Sequence, residues 1–305
     1  MDRTTFDRQA RAFRTLNIRA VQDGRPVFRA DYDEEIRRNQ YSVTKSFTSA
    51  AVGIAAGEGL LRLDERLVDA FPAELPAHVC ENLERATVRD LLTMCLGQDK
   101  GFLMGGQRPF LKERDWVRSC LAQPFPYAPG EKFRYNNAGP YLAGVLVQRR
   151  AGCTLDKYLT PRLFEPLGIV APTWETDPLG YSFGAGGLFL CVSELLRFGE
   201  LLLAGGKWNG RQLIPADYVA AATAKQVENG ADGYGYLFWR GAQNSFRADG
   251  KYGQFAIVLP DDNAVIAVNA ECREQGRLLD FLLENKAEML PASEPAAREA
   301  DPAFM

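Results

Sequence analysis

Residues 42–57 read SVTKSFTSAAVGIAAG, and Lys45 is the only charged side chain in the run. Val43, Phe47, Ala50, Ala51 and Ile54 recur at helical spacing, with small or hydroxylated residues between them. A helix this uncharged on every side is expected inside the molecule. A lysine is costly there, because moving an ammonium out of water costs more than one packing contact returns. Ser42 lies three residues earlier, so a helix puts its hydroxyl on the same face as the Lys45 amine. A serine beside a lysine that holds its proton weakly is the minimum equipment for nucleophilic catalysis without histidine. The plainer alternative is a lysine that snorkels to solvent from the first turn, with Ser42 as an N-cap.

The rest of the chain narrows the chemistry. Its 305 residues suffice for one large domain or two smaller ones, and 46% hydrophobic with 25% charged residues is ordinary for a globular protein. A net charge of −3 leaves no basic footprint, so nucleic acid is not an expected partner. No stretch is apolar enough for a membrane span, and the start, MDRTTFDRQARAF, has no secretory h-region. The six cysteines are scattered, without CxxC or metal-ligand spacing, as expected of free thiols in the cytoplasm. The single histidine, His78, cannot build a His-rich zinc site, and any Ser-His-Asp triad would have to use it. No metal or cofactor is called for. Gly180-Tyr181-Ser182-Phe183-Gly184 matches the nucleophile-elbow pattern, but Pro178 and Gly180 precede it and no histidine follows. It reads as a loop.

Along the chain, a short polar helix is followed by apolar runs on either side of Asp23-Gly24, a hairpin signal. The buried helix from Ser42 ends at Gly57 or Gly59. Residues 60–185 read mainly as helices and loops: one capped by Thr87, one around Trp116, one over 139–151 and one starting at Thr154. Strands are expected at 187–191, 236–239, 255–259 and 264–268, the last two forming a hairpin. Ser193 is read as the cap of a helix ending at Gly205-Gly206, and 278–290 as a final amphipathic helix. The tail 291–305 is rich in Ala, Pro and Glu and reads as disordered. The fold class is therefore α+β, an α/β sandwich: an antiparallel sheet built from both chain ends and flanked by helices, with a mainly helical lobe inserted. The expected domain covers 1–290, with an α/β lobe of 1–59 and 186–290 and a helical lobe of 60–185.

Two further motifs fit the first. Tyr135-Asn136-Asn137 follows a Pro129-Gly130 break, so Tyr135 and Asn137 project from a loop at a helix start, where an Asn is otherwise a cap. Asp249-Gly250-Lys251-Tyr252-Gly253-Gln254 stands at the entrance to an apolar strand, where its lysine is either functional or solvated at a turn. In this order, S-x-x-K, Y-x-N and K-x-G resemble the serine β-lactamase and penicillin-binding-protein superfamily, best its class C branch with the related esterases. Leu63-Asp64-Glu65, Asp90-Leu91-Leu92-Thr93-Met94, Phe164-Glu165-Pro166-Leu167-Gly168 and Gly186-Gly187-Leu188 are similar to that family's landmarks. The resemblance runs from about residue 17 to 290.

The resemblance implies roles. Ser42 attacks a carbonyl and forms an acyl-enzyme. Lys45 and Tyr135 share the removal of its proton and the later activation of water. Asn137 binds the amide or acyl side of the substrate. Lys251 places positive charge near the Tyr135 oxygen and a substrate carboxylate, and Tyr252 borders the same substrate site. The backbone N–H groups of Ser42 and Gln254 form the oxyanion hole. For Lys45 to act as a base, its proton affinity must fall by about three pH units, at a cost of roughly 4 to 5 kcal/mol. Burial, a second cation and the helix N-terminus all push that way. The same cations favour a Tyr135 phenolate, which leaves the identity of the base open.

Tyr252 stands where β-lactamases of this kind carry Thr or Ser, and Cys95-Leu96 replaces small hydroxylated residues. The expectation is a cytoplasmic serine hydrolase acting on an ester or small amide. A true β-lactamase or D-amino-acid peptidase is the alternative within enzymes. A catalytically silent binding or scaffold relative is the alternative outside them. Oligomeric state is left open.

Overall fold

The two ends of the chain meet in one antiparallel sheet. The computed structural model describes residues 1–291, so most of the expected disordered tail lies outside the described residues. Six strands make the sheet: β1 (Thr15–Gln22), β2 (Arg25–Asp31), β3 (Trp239–Arg240), β4 (Phe246–Gly250), β5 (Gln254–Leu259) and β6 (Ala264–Ala270). Their order is β2-β1-β6-β5-β4-β3. Ala20 of β1 faces Ile266 of β6, which joins the N-terminal hairpin to the C-terminal one. Asp23 and Gly24 take φ of 53° and 70°, the left-handed pair that a tight right-twisted hairpin requires. Asn263 at φ 45° closes the β5–β6 hairpin.

Strand alternation divides the core. Ile18, Phe28, Ile257, Ile266 and Val268 face Phe6 of the helix Arg3–Ala12 and Leu278, Phe281 and Leu282 of the helix Gln275–Glu284. Val258, Val265 and Ala267 point the other way, into the larger core that holds the helix Val192–Leu203 and the central helix Thr44–Gly57. In the central helix every residue from Thr44 to Ala55 is buried. Its hydroxyls bond across to neighbours: Ser46 Oγ donates to Leu237 O at 2.9 Å, and Thr48 Oγ1 donates to Gly184 O at 2.7 Å. This satisfies the polar groups of an all-buried helix. Phe47 stacks on Phe198 with ring centroids 3.8 Å apart, tying the central helix to the layer beneath the sheet. The segment between carries the helices Val88–Leu92, Trp116–Leu121, Ala138–Ala151 and Leu155–Leu159 against the outer side of the central helix.

Several boundaries differ from expectation. The run 236–239 contributes only Trp239 to a strand. Leu237 has φ 64°, and the Tyr236 and Leu237 N–H groups donate to Ala222 O and Leu92 O, away from any ladder. Of 187–191 only Phe189–Leu190 forms a strand, paired with Arg38–Asn39, while Leu188 makes a single bridge to Trp174. Strand β4 went unread, because its buried face is the mixed set Phe246, Ala248 and Gly250 with Arg247 and Asp249 between. The N-cap of Val192–Leu203 is Cys191, whose N–H donates to Glu194, while Ser193 bonds Glu35 instead. That helix ends at Leu203, ahead of the glycines. The last helix starts earlier, at Gln275, and breaks at Asn285 before a short turn Lys286–Glu288.

Candidate active site

Ser42 lies in a 3₁₀ turn, Tyr41–Val43, that runs directly into the central helix. The sequence expectation put both residues on one α-helix. The tighter turn keeps the i, i+3 neighbours together all the same. Lys45 is 1% exposed, and its Nζ donates to Ser42 Oγ and to Ala185 O, each at 2.8 Å. No carboxylate pairs with it among the described residues. Burial first, and the Arg108 guanidinium second, hold the amine down to about 7. The second cation is thus Arg108, not Lys251.

Tyr135 comes from the loop ahead of Ala138–Ala151, anchored where Gly130 N donates to Cys95 O and Arg134 N to Met94 O. Its ring stacks on Trp239 at 5.6 Å, and Lys45 Nζ lies 5.1 Å from its centroid. Burial pushes the phenol well above its ordinary value. The Ser42 hydroxyl beside it opposes this, and the nearby Asp249 carboxylate adds to it. Burial thus works against the phenolate that nearby cations would favour, raising the phenol while it lowers the amine.

The Asn137 side chain does not cap the helix, because its neighbour does. Asn136 Oδ1 accepts from the N–H groups of Ala138 and Gly139, at 2.6 and 3.3 Å. Asn137 Nδ2 donates to Leu103 O at 2.9 Å and Oδ1 is buried without a partner, while the residue lines the Ser42 cavity. That cavity holds about 480 Å³ and is lined by Ser42, Tyr41, Asn137, Arg108, Glu175 and Lys251, among others.

Lys251, Tyr252 and Gly253 form the turn between β4 and β5, with φ of 69° at Tyr252 and 87° at Gly253. The turn closes tightly on the serine segment. A Cβ at Gly250 would stand 2.4 Å from Gln40 O, so only glycine permits this approach. Lys251 is exposed, with Nζ 4.6 Å over the Tyr252 ring. Tyr252 does not line the cavity; it packs edge-on against Tyr41 at 5.2 Å. Gln254 opens β5, and its side chain donates to Ala270 O at 2.6 Å.

Ser182, the decoy, is fully buried; its hydroxyl accepts from Leu155 N and donates to Asp156, both at 3.2 Å. His78 is exposed and away from the cavity. All six cysteines are free. Among the described residues no His, Cys, Asp and Glu group could hold a metal ion, and no helix is long and apolar enough to cross a membrane. Arg108 and Glu175 were not found in the sequence, where neither carries a motif.

A family model described as Beta-lactamase matches residues 1–284. The chain belongs to the Beta-lactamase family. Its fold is shared by solved structures that carry β-lactamase, penicillin-binding-protein and hydrolase names. A Bacillus anthracis structure given the provisional name 6-aminohexanoate-dimer hydrolase superposes with a TM-score of 0.77 at 20% identity, covering 94% of this chain and 83% of that one. SurE superposes with a TM-score of 0.74 at 23% identity, covering 97% and 78%. Monacolin J acid methylbutanoyltransferase of Aspergillus terreus is 29% identical over 153 residues, 44% of this chain and 37% of that protein. The chain spans about a third of the length of the curated relatives it matches.

Proposed function

We propose that this Beta-lactamase family member hydrolyses an ester or small amide through an acyl-enzyme on Ser42. The observation that carries the reading is the buried Lys45 amine, 2.8 Å from Ser42 Oγ and pressed toward neutrality. In this reading the Lys45 amine takes the Ser42 proton as Oγ attacks the carbonyl carbon. The N–H groups of Ser42 and Gln254 receive the oxyanion. The neutral Tyr135 phenol then donates toward the leaving group, and its proton is replaced from Lys45. Water repeats the sequence in reverse and frees the serine. Asn137 Oδ1 accepts from an N–H or O–H on the substrate, Lys251 stands at the cavity mouth, and Tyr252 contributes by holding Tyr41.

Residue 252 packs its ring on Tyr41 and brings no small hydroxyl to the cavity to hold a β-lactam carboxylate, which favours esters and simple amides over β-lactams and D-amino-acid peptides. Mass spectrometry after exposure to a fluorophosphonate and, separately, a fluorescent penicillin tests this. The expected adduct is on Ser42 with the fluorophosphonate alone. An adduct with both reagents would favour the β-lactamase or peptidase alternative, and an adduct with neither the silent scaffold.

A further inference from the structure

Arg108 enters the Ser42 cavity from a three-residue 3₁₀ turn, Arg108–Phe110. Its guanidinium lies over the Phe183 ring, 4.4 Å from the centroid, which holds the plane of the fork in place. Its one polar contact among the described residues is loose: Nη1 stands 3.5 Å from Glu175 Oε2. Its Nε is buried with no hydrogen-bond partner. Two other arginines on this chain show what a partly buried guanidinium ordinarily obtains. Arg37 forks onto Glu194 at 2.6 and 3.0 Å and donates to the carbonyls of Val170 and Ala171. Arg149 reaches Glu74 at 2.9 Å and Tyr181 at 3.2 Å.

A guanidinium offers five donors in a flat fork, and Arg108 uses little of that capacity. A carboxylate, with two oxygens in one plane, is the group that matches it. There is also space beside it: a Cβ added at Gly105 or Gly106, which line the same wall, would meet nothing within 4 Å.

We propose that Arg108 is a specificity determinant, receiving a carboxylate carried by the substrate in exchange for its loose contact with Glu175, and doing so independently of Lys251. The assignment rests on the hydrolase reading of the same cavity. It has a consequence for the chemistry, because Arg108 is also the cation that presses on Lys45. A carboxylate seated on Arg108 offsets that charge, so binding such a substrate makes the Lys45 amine a stronger base as the reaction begins.

The test compares two esters, the p-nitrophenyl half-ester of adipic acid and its neutral methyl diester. The ratio of their kcat/KM values is read with KM and kcat apart, because a seated carboxylate also strengthens the base and only the KM part reports recognition. Arg108→Gln is expected to lower the ratio of anionic to neutral substrate by about tenfold or more, chiefly through KM. Arg108→Lys should restore part of it, and Lys251→Gln should move it less. A ratio unchanged in Arg108→Gln overturns the assignment. Calorimetric binding of the same two compounds to the Ser42→Ala protein separates this from the hydrolase reading. Preference for the anionic compound that disappears with Arg108→Gln upholds the anchor even where neither ester is cleaved, and equal binding of both overturns it.

Discussion

Two lysines face the same serine from opposite sides of the fold, and they differ in almost everything but residue type. Lys45 rises from the central helix, 1% exposed, with a hydroxyl and a carbonyl as its only partners among the described residues. Lys251 sits exposed on the β4–β5 turn and lies over the Tyr252 ring. The first is moved toward neutrality by burial and by Arg108. The second keeps its hydration, with a charge that acts through solvent and is screened by salt. A lysine becomes a base when its surroundings remove water without supplying a carboxylate, and only the central helix does that.

The largest expected effect follows from removing the buried amine. Lys45→Met keeps the length and loses the base, so kcat should fall by about a thousandfold. Stability should move the other way, with a pH dependence whose sign is fixed. An unfolded lysine holds its proton to 10.5, whereas folded Lys45 releases it at about 7. Below pH 7 both states are charged and the full cost of burial is present, up to about 5 kcal/mol. Between 7 and 10.5 the unfolded chain binds more protons, so the wild type gains stability as pH rises. Denaturant unfolding of the two proteins at pH 6 and pH 10 should therefore show Lys45→Met most favoured at pH 6. An equal difference at both pH values would mean that Lys45 is not a buried cation, and the contrast between the two lysines would collapse.

Tyr135→Phe comes next. The ring remains stacked on Trp239 and only the hydroxyl is lost, so the fold should hold. With Lys45 as the base and the phenol as donor to the leaving group, kcat should fall by about a hundredfold. The ascending limb of the pH–rate profile should stay near 7, where Lys45 releases its proton. Loss of that limb would transfer the role of base to the phenol, and an unchanged rate would remove Tyr135 from the reaction.

The helical run at 42–57, with a single charge in it, made a buried helix legible in sequence, because burial of an all-round apolar helix is a local property, but it left Lys45 either enclosed or snorkelling to solvent. The two end hairpins were equally legible: Asp23-Gly24 and the apolar runs at 255–268 carry their own pairing signals. Strand β4 was not, since its ladder depends on β5 more than on its own mixed sequence. Asn136 and Asn137 are adjacent and alike on paper, and only the observed bonds assign one to capping and the other to the cavity. Arg108 and Glu175 lie 67 residues apart and meet through the folding of loops, which no periodicity records. The base was ambiguous for the same reason, as Asp249 and the burial of Tyr135 are tertiary facts.

Lys251→Gln should have the smallest effect and is the sharpest check on the comparison. The side chain is exposed and its contact with the Tyr252 ring contributes about 0.5–1 kcal/mol, so the midpoint of unfolding should barely change. Loss of one solvated charge at the cavity mouth should raise KM for an anionic ester by less than about tenfold, and added salt should shrink the difference from wild type. The limb near pH 7 should not move, because neither burial of Lys45 nor its repulsion by Arg108 passes through residue 251. A shift of that limb in Lys251→Gln would show that the exposed lysine sets the state of the buried one, and the two sides of the cavity would have to be treated as a single coupled charge system.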